Sequence, residues 1–246
     1  MKGKTLLLPV QLCEYVLKHK LAKPFQLYIL LKSVSDGKIK IPKSQYPEIA
    51  SWLNRKSGKT VNNNLKKLLA TNFVGYNAKS EYYFIRGLDQ LRKQLNLNAR
   101  TSAEFCISDL NRLQEFCLAA VAGHLVKQQQ RKKWLSERQK WRSNQNSRSS
   151  SPLPYFHVTS SYLSKMLGIS QNNAFLLKQK AHKAGFIEIK KHFKPLNVAV
   201  YDKRAFLKGN PDLAPRVRVR DKMLFLQQPD EIISLIRFKS RKKIEP

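Results

Sequence analysis

Residues 162–194, YLSKMLGISQNNAFLLKQKAHKAGFIEIKKHFK, decide how this chain is read. Residues 160–167 form a short helical stretch that stops at Gly168. Ser170 then stands at an N-cap, where its hydroxyl takes up an amide that the first helical turn leaves without a partner. The helix it opens runs to about Ala184, and Gly185 supplies the left-handed conformation that ends helices. Residues 186–189 (FIEI) are extended and open a basic hairpin.

Helix, turn, helix and basic hairpin in that order resemble the winged-helix family of DNA-binding domains. The resemblance is carried by Leu167-Gly168-Ile169-Ser170 at the turn, by Ala174 and Ala181 further along, and by Ala184-Gly185-Phe186-Ile187. It implies that the second helix of the pair enters a major groove and that the hairpin, or wing, reaches neighbouring backbone.

Composition points the same way. Forty-seven Lys and Arg stand against 16 Asp and Glu, a formal charge of +31 with pI near 10.3. That imbalance repels itself unless a polyanion is the usual partner. Nucleic acid is the leading partner and an anionic membrane surface the weaker one. A chain of 246 residues has room for two small domains with real cores. Cys13, Cys106 and Cys117 show no C-x-x-C spacing and sit among apolar neighbours, so reduced, partly buried thiols are expected and a zinc site is not. The opening MKGKTLLLPVQLC mimics a lipoprotein signal only faintly, because its apolar run is three leucines cut by Pro9. An amphipathic helix from Pro9 to about His19 is the better reading. No stretch approaches the ~20 apolar residues of a membrane span. The expectation is a soluble, cytoplasmic, nucleoid-associated protein.

Upstream, the order recurs. Residues 23–34 read as a core helix, 38–42 as a strand, 44–53 and 59–72 as helices, and 74–77 and 81–86 as a hairpin. At a fixed offset of 113 residues, Ser57 falls on Ser170, Val61 on Ala174, Leu68 on Ala181, Asn72 on Gly185 and Phe73 on Phe186. Leu65 on Lys178 is the mismatch, with Leu177 as compensation. Matching spacing and residue class indicate two copies of one unit. Between the copies, 101–107 reads as a strand, and Asp109 caps a long helix reaching Trp141. The first half of that helix, with Leu113, Phe116, Cys117, Ala120, Val121, His124 and Leu125, has core periodicity. Its second half carries Lys127, Arg131, Lys132, Lys133, Arg138, Lys140 and Arg142, with Trp134 and Trp141 interleaved. Residues 143–154 have loop composition, with Arg148 placed to order on a polyanion. Tyr155–Thr159 reads as a strand, RVRVR (216–220) as another, and a helix is expected from Asp230, followed by a basic tail.

At 100° per residue, the helix after Ser57 turns Val61, Leu65, Leu68 and Leu69 inward. Lys59, Asn63, Lys66 and Lys67 lie opposite, flanked by Thr60, Asn62 and Asn64. Asn can pair bidentately with adenine, and Lys can reach guanine or phosphate. In the second copy, Ala174, Leu177, Ala181 and Ala184 turn inward while Asn172, Gln179 and Lys183 face out beside Ser170 and Gln171. Phe175 is expected to pack on the long helix. Lys190, Lys191, His192 and Lys194 on the second wing, and Lys79 on the first, are placed for phosphate, together with Arg131, Lys132, Lys133, Lys140 and Arg142. A solvated polar face is the bland alternative for each of these.

Catalytic patterns are missing from the sequence. Ser57-Gly58-Lys59-Thr60 ends like a P-loop, but Leu53 stands where that motif needs glycine, and the preceding element reads as a helix. The five histidines form no HExxH or other metal spacing, and the acidic residues show no paired arrangement. A non-enzymatic protein without cofactor or metal is expected.

The expected fold is mainly α with small β-hairpins, two tandem winged-helix domains joined by a long basic helix and linker. Its parts are an N-terminal helix (1–20), a first winged helix (21–100), a second including the long helix (101–205), and a basic strand, helix and tail (206–246). In architecture this resembles plasmid replication initiators, which implies binding of double-stranded DNA at origin repeats, with a second copy or replication proteins as further partners. A phage or mobile-element regulator on an operator stays open, as does a protein-interaction or RNA-binding role.

Overall fold

The structure, a computed structural model, describes residues 4–143 and 156–240. Strand β1 (Thr5–Pro9) leads into helix α1 (Val10–Lys18). Helix α2 (Ala22–Val34), strand β2 (Lys38–Lys40), helices α3 (Tyr46–Trp52) and α4 (Gly58–Ala70), and strands β3 (Val74–Asn77) and β4 (Tyr82–Ile85) form a first unit. Helix α5 (Leu88–Gln94) and strand β5 (Thr101–Cys106) follow. Asp109 lies in a 3-10 turn (Ile107–Arg112) rather than at a cap, and the long helix α6 (Leu113–Ser143) starts after it. Strand β6 (Phe156–His157), helices α7 (Ser160–Leu167) and α8 (Gln171–Lys183) and strand β7 (Ile187–Lys190) come next. The chain continues through β8 (Phe193–Ala199), α9 (Lys203–Gly209), β9 (Val217–Arg220), β10 (Met223–Gln227), β11 (Glu231–Ser234) and β12 (Phe238–Ser240). The fold is therefore mixed α and β, with small antiparallel three-stranded sheets. The expected linker with Arg148 and the last residues of the basic tail lie outside the described residues.

Two of the sheets have the same plan. In the first unit the strand order is β2-β4-β3, and in the second it is β6-β11-β7. Each time, the strand before the helix pair and the strand after it flank the strand that comes last in sequence. The 113-residue offset carries the bounds of α4 onto those of α8 and the bounds of β3 onto those of β7. The helix ends agree as well: Phe73 N–H donates to Leu68 O at 2.9 Å, and Phe186 N–H to Ala181 O at 3.1 Å. Just before these bonds, Asn72 (φ 56°) and Gly185 (φ 77°) take the left-handed conformation, which Asn tolerates better than other side-chain-bearing residues.

Two expectations are corrected. The second hairpin is not a hairpin: β7 pairs with β11, and residues 191–230 intervene, building their own sheet β8-β10-β9. Residues 231–234 are a strand and not the start of a helix, because Ile232 and Ile233 fill the middle lane of the second sheet between β6 and β7. β-branched residues suit that lane, and the short run Ile-Ile-Ser-Leu-Ile fits a helix equally well when read alone.

One core runs through the whole. Residues 116–122 of α6 are all buried, so for two turns this helix has no solvent side. Helix α1 packs on it, as do α8 and β11. The Cys13 and Cys117 thiols lie side by side there, and burial followed by the Cys13 contact pushes the Cys117 thiol pKa up. A third sheet, β1-β5-β12, sets Thr5–Pro9 and Phe238–Ser240 on either side of β5. Gln26 on α2 couples the first unit to the 3-10 turn before α6: its Nε2 donates to Asn111 Oδ1 at 2.8 Å, and Arg55 Nη2 donates to its Oε1 at 2.8 Å.

At Gly123 the β11–β12 segment lies close against α6. A Cβ there would lie 2.4 Å from Ser234 Oγ and 2.9 Å from Phe238 Cζ. Gly123→Ala is expected to lower stability by about 1–3 kcal/mol, the usual effect of overpacking. In chemical denaturation, the double variant Gly123→Ala/Ser234→Gly should lose less than the two single losses added together. Additive losses would mean that Ser234 is not what the new methyl meets.

His124 offers a pH test of the same helix. Burial, and then Lys127, lower its pKa, and its Nε2 faces Gln128 Nε2 at 2.9 Å, a geometry that suits the neutral ring accepting from the amide. A lowered folded-state pKa means that the unfolded chain binds the proton first. The contribution is therefore present above the ordinary value of about 6.5 and declines as pH falls from there towards the folded-state pKa. The stability of His124→Gln should vary less over that range than that of the parent chain.

Candidate nucleic-acid interface

The local chemistry of the two helix starts is alike. Ser57 Oγ accepts from Lys59 N–H at 3.2 Å, and Ser170 Oγ accepts from Asn173 N–H at 3.2 Å. Thr159 caps α7 in the same manner, through Tyr162 N–H, and Gly168 ends it at φ 62°. On α4, Val61, Leu65 and Leu68 are buried while Lys59, Asn63, Lys66 and Lys67 are exposed. Thr60 and Asn62 are half-buried at its margins, and Asn64 is buried. On α8, Gln171, Asn172 and Lys183 are exposed, and so are Asn173 and Lys180.

Gln179 departs from its expected place. It is half-buried, and its Nε2 is shielded from solvent with no hydrogen-bond partner among the described residues. Phe175 does not pack on α6 but is 44% exposed; Phe186 takes that contact, edge-on to Phe116 at 5.5 Å.

The mismatch at Lys178 has a physical answer. Its side chain is buried where Leu65 sits in the first unit, and its Nζ lies 2.5 Å from Asp230 Oδ2, just before β11. Leu177 is buried beside it, so it adds to this contact rather than replacing it.

The wing residues separate. Lys79 is exposed in the tight turn of the first unit, its amide bonded to Asn77 Oδ1 at 3.0 Å. Lys190 ends β7, register-paired with Glu231, while Lys191 and Lys194 are exposed on the segment that leaves for the extra sheet. His192 is exposed but faces a carboxylate. Its Nε2 lies 2.6 Å from Glu231 Oε2, and His157 Nε2 is 3.8 Å from the other oxygen of that carboxylate. On α6, Arg131, Lys132 and Lys133 are exposed, with Arg138 stacked 5.0 Å over Trp134. The side chains of Lys140 and Arg142 lie outside the described part.

One lysine of α4 and one of α8 line the same cleft. This cleft, of about 530 Å³, lies where the end of α1 and the start of α2 face α8, and is lined by Lys20, Lys23, Lys67 and Lys180, with Asn173 and Leu176. Lys67 and Lys180 are equivalent at the 113-residue offset. Sequence reading passed over Lys180, although its equivalence to Lys67 was the signal that would have found it. Four lysines and no carboxylate line the cleft, which makes it a site of positive potential facing solvent.

No family model, curated protein or solved structure matches this chain. Among the described residues no cluster of His, Cys, Asp or Glu could hold a metal, and no described helix is long and apolar enough to cross a membrane.

The Lys178–Asp230 pair should behave as a buried ion pair. Asp230→Ala is expected to cost about 3–5 kcal/mol, because it leaves the lysine uncompensated. Lys178→Leu combined with Asp230→Ala, which imitates Leu65 of the first unit, should recover most of that loss in denaturation. A double variant as unstable as Asp230→Ala alone would show that the pair itself holds β11 in place.

Proposed function

We propose that this chain binds double-stranded DNA through two tandem winged-helix units, with α4 and α8 each presented to a major groove. The observation that supports this most is a lysine-lined cleft to which the equivalent lysines Lys67 and Lys180 both contribute. The two helices are alike, each capped and of equal length, with Lys59, Asn63 and Lys66 outward on α4 and Asn172 and Lys183 outward on α8. Shared element order and shared strand order support the winged-helix reading of both units. The charge of +31 supports a polyanionic partner and a binding role rather than a catalytic one.

In this reading the lysines position the duplex on its phosphates, and Asn63 and Asn172 carry the sequence-dependent contacts. The role proposed is a replication initiator of a plasmid or mobile element, with replication proteins or a second copy as partners. Selection of bound sequences from a random duplex pool tests it. Enrichment of direct repeats is the expected result. An inverted repeat would replace the initiator with an operator-binding regulator, and no enrichment would remove sequence-specific duplex binding altogether.

Asn172→Ala should weaken binding to the selected site by about 5- to 150-fold, the worth of a bidentate base contact of roughly 1–3 kcal/mol. Binding to unrelated duplex should change little. Lys67→Ala with Lys180→Ala should weaken both duplexes alike and flatten the dependence of affinity on salt. An unchanged salt slope would take the cleft out of the interface.

A further inference from the structure

The two units differ most at one point. Between β3 and β4 lies a short turn at residues 78–81, but between β7 and β11 lie residues 191–230, with nine Lys and Arg against four Asp. Their sheet, β8-β10-β9, has two faces. Arg218 pairs with Phe225, Arg220 with Met223, and Phe193 with Gln227, so these share one face. Part of that face meets the flank of α8. The result is a groove of about 410 Å³, lined by Phe175 on the helix side and by Phe193, Lys191, Arg218 and Arg220 on the other. Arg220 Cζ stacks 3.6 Å from the centre of the Phe193 ring. The carboxylate in the lining, Asp230, is held by Lys178, so what the groove offers a ligand is positive.

An exposed phenylalanine facing an arginine–aromatic stack, with further cations beside it, is a platform for a flat, unstacked base with its phosphate. Base–aromatic stacking and arginine cation–π contact together hold single strands without reading their sequence. A duplex cannot use such a groove, since its bases hide their faces in their own stack. We propose that this groove binds single-stranded DNA. A base lies between Phe175 and the Arg220–Phe193 stack, and the backbone runs past Lys191 and Arg218. The choice of DNA over RNA rests on the reading of α8 as a duplex-DNA helix, because α8 is one wall of the groove and a strand displaced from that duplex arrives beside it.

The test uses the full chain and fluorescence anisotropy with a labelled oligothymidylate of about ten nucleotides, within the usual span of single-strand sites. Phe175 and Arg220 are both exposed, so their alanine variants should keep the parent melting temperature. Each should lose about 5- to 150-fold in affinity for the single strand, as expected for roughly 1–3 kcal/mol of stacking. Their affinity for random duplex should stay within about twofold, and Lys191→Ala should flatten the salt dependence of single-strand binding. Absence of binding to oligothymidylate would overturn the proposal, as would equal binding of an abasic strand, equal losses on duplex, or tighter binding of oligouridylate. A chain that ignores duplex but shows the stacking losses would remove the duplex reading of α8 and leave the groove a single-strand site.

Discussion

The structure depends on the burial of residues 116–122 of α6 on every side. A helix covered all round needs partners in several directions at once, and here they come from distant parts of the chain: α1, α8 and β11. Removing any one of them would open apolar surface on the others. The same constraint explains Gly123, since two strands can lie against a helix already surrounded only where one residue has no side chain. Beyond Val126 the covering thins and the helix turns basic, so one element is core axle in its first half and charged rod in its second.

The two units share a plan yet have divided their polar groups differently. The first keeps its helix pair on an apolar stripe with Leu65 at the centre. The second places an ammonium group at the matching position and supplies a carboxylate from just before β11 to meet it. That exchange makes the second unit contingent on a strand remote in sequence, while the first closes on itself through the tight β3–β4 turn. Glu231, the next residue along, brings a carboxylate within 3.8 Å of His157 and 2.6 Å of His192.

Much of this was legible from residues alone because it is local chemistry. Ser57, Ser170 and Gly185 set helix bounds through bonds made within a few residues, and the periodicity of Val61, Leu65 and Leu68 marks a buried face whatever lies opposite. What escaped was decided by partners far along the chain. Ile232 and Ile233 carry no mark that distinguishes a central strand from a helical turn. Thr5–Pro9 is extended because β5 is there to pair with it. The exposed faces of α4 and of most of α8 could be placed by counting. Gln179 and His192 could not, and His192 faces Glu231 on the segment that returns through Pro229 to Ser234. The Leu65-to-Lys178 mismatch was a visible trace of that return, readable as a demand for a carboxylate but silent about which one.

The strand order β6-β11-β7 has a consequence for how the chain comes to be folded. The first unit's sheet needs nothing beyond Ile85, so its contacts are short in sequence and can form while the rest is being synthesised. The second sheet lacks its middle lane until residues 231–234 have left the ribosome. Until then, β6 and β7 present unpaired edges to each other across a gap, and Lys178 sits in an apolar site with no counter-charge. Closing that gap is a late, long-range step, and during the wait α1 is the surface against which α6 can already pack.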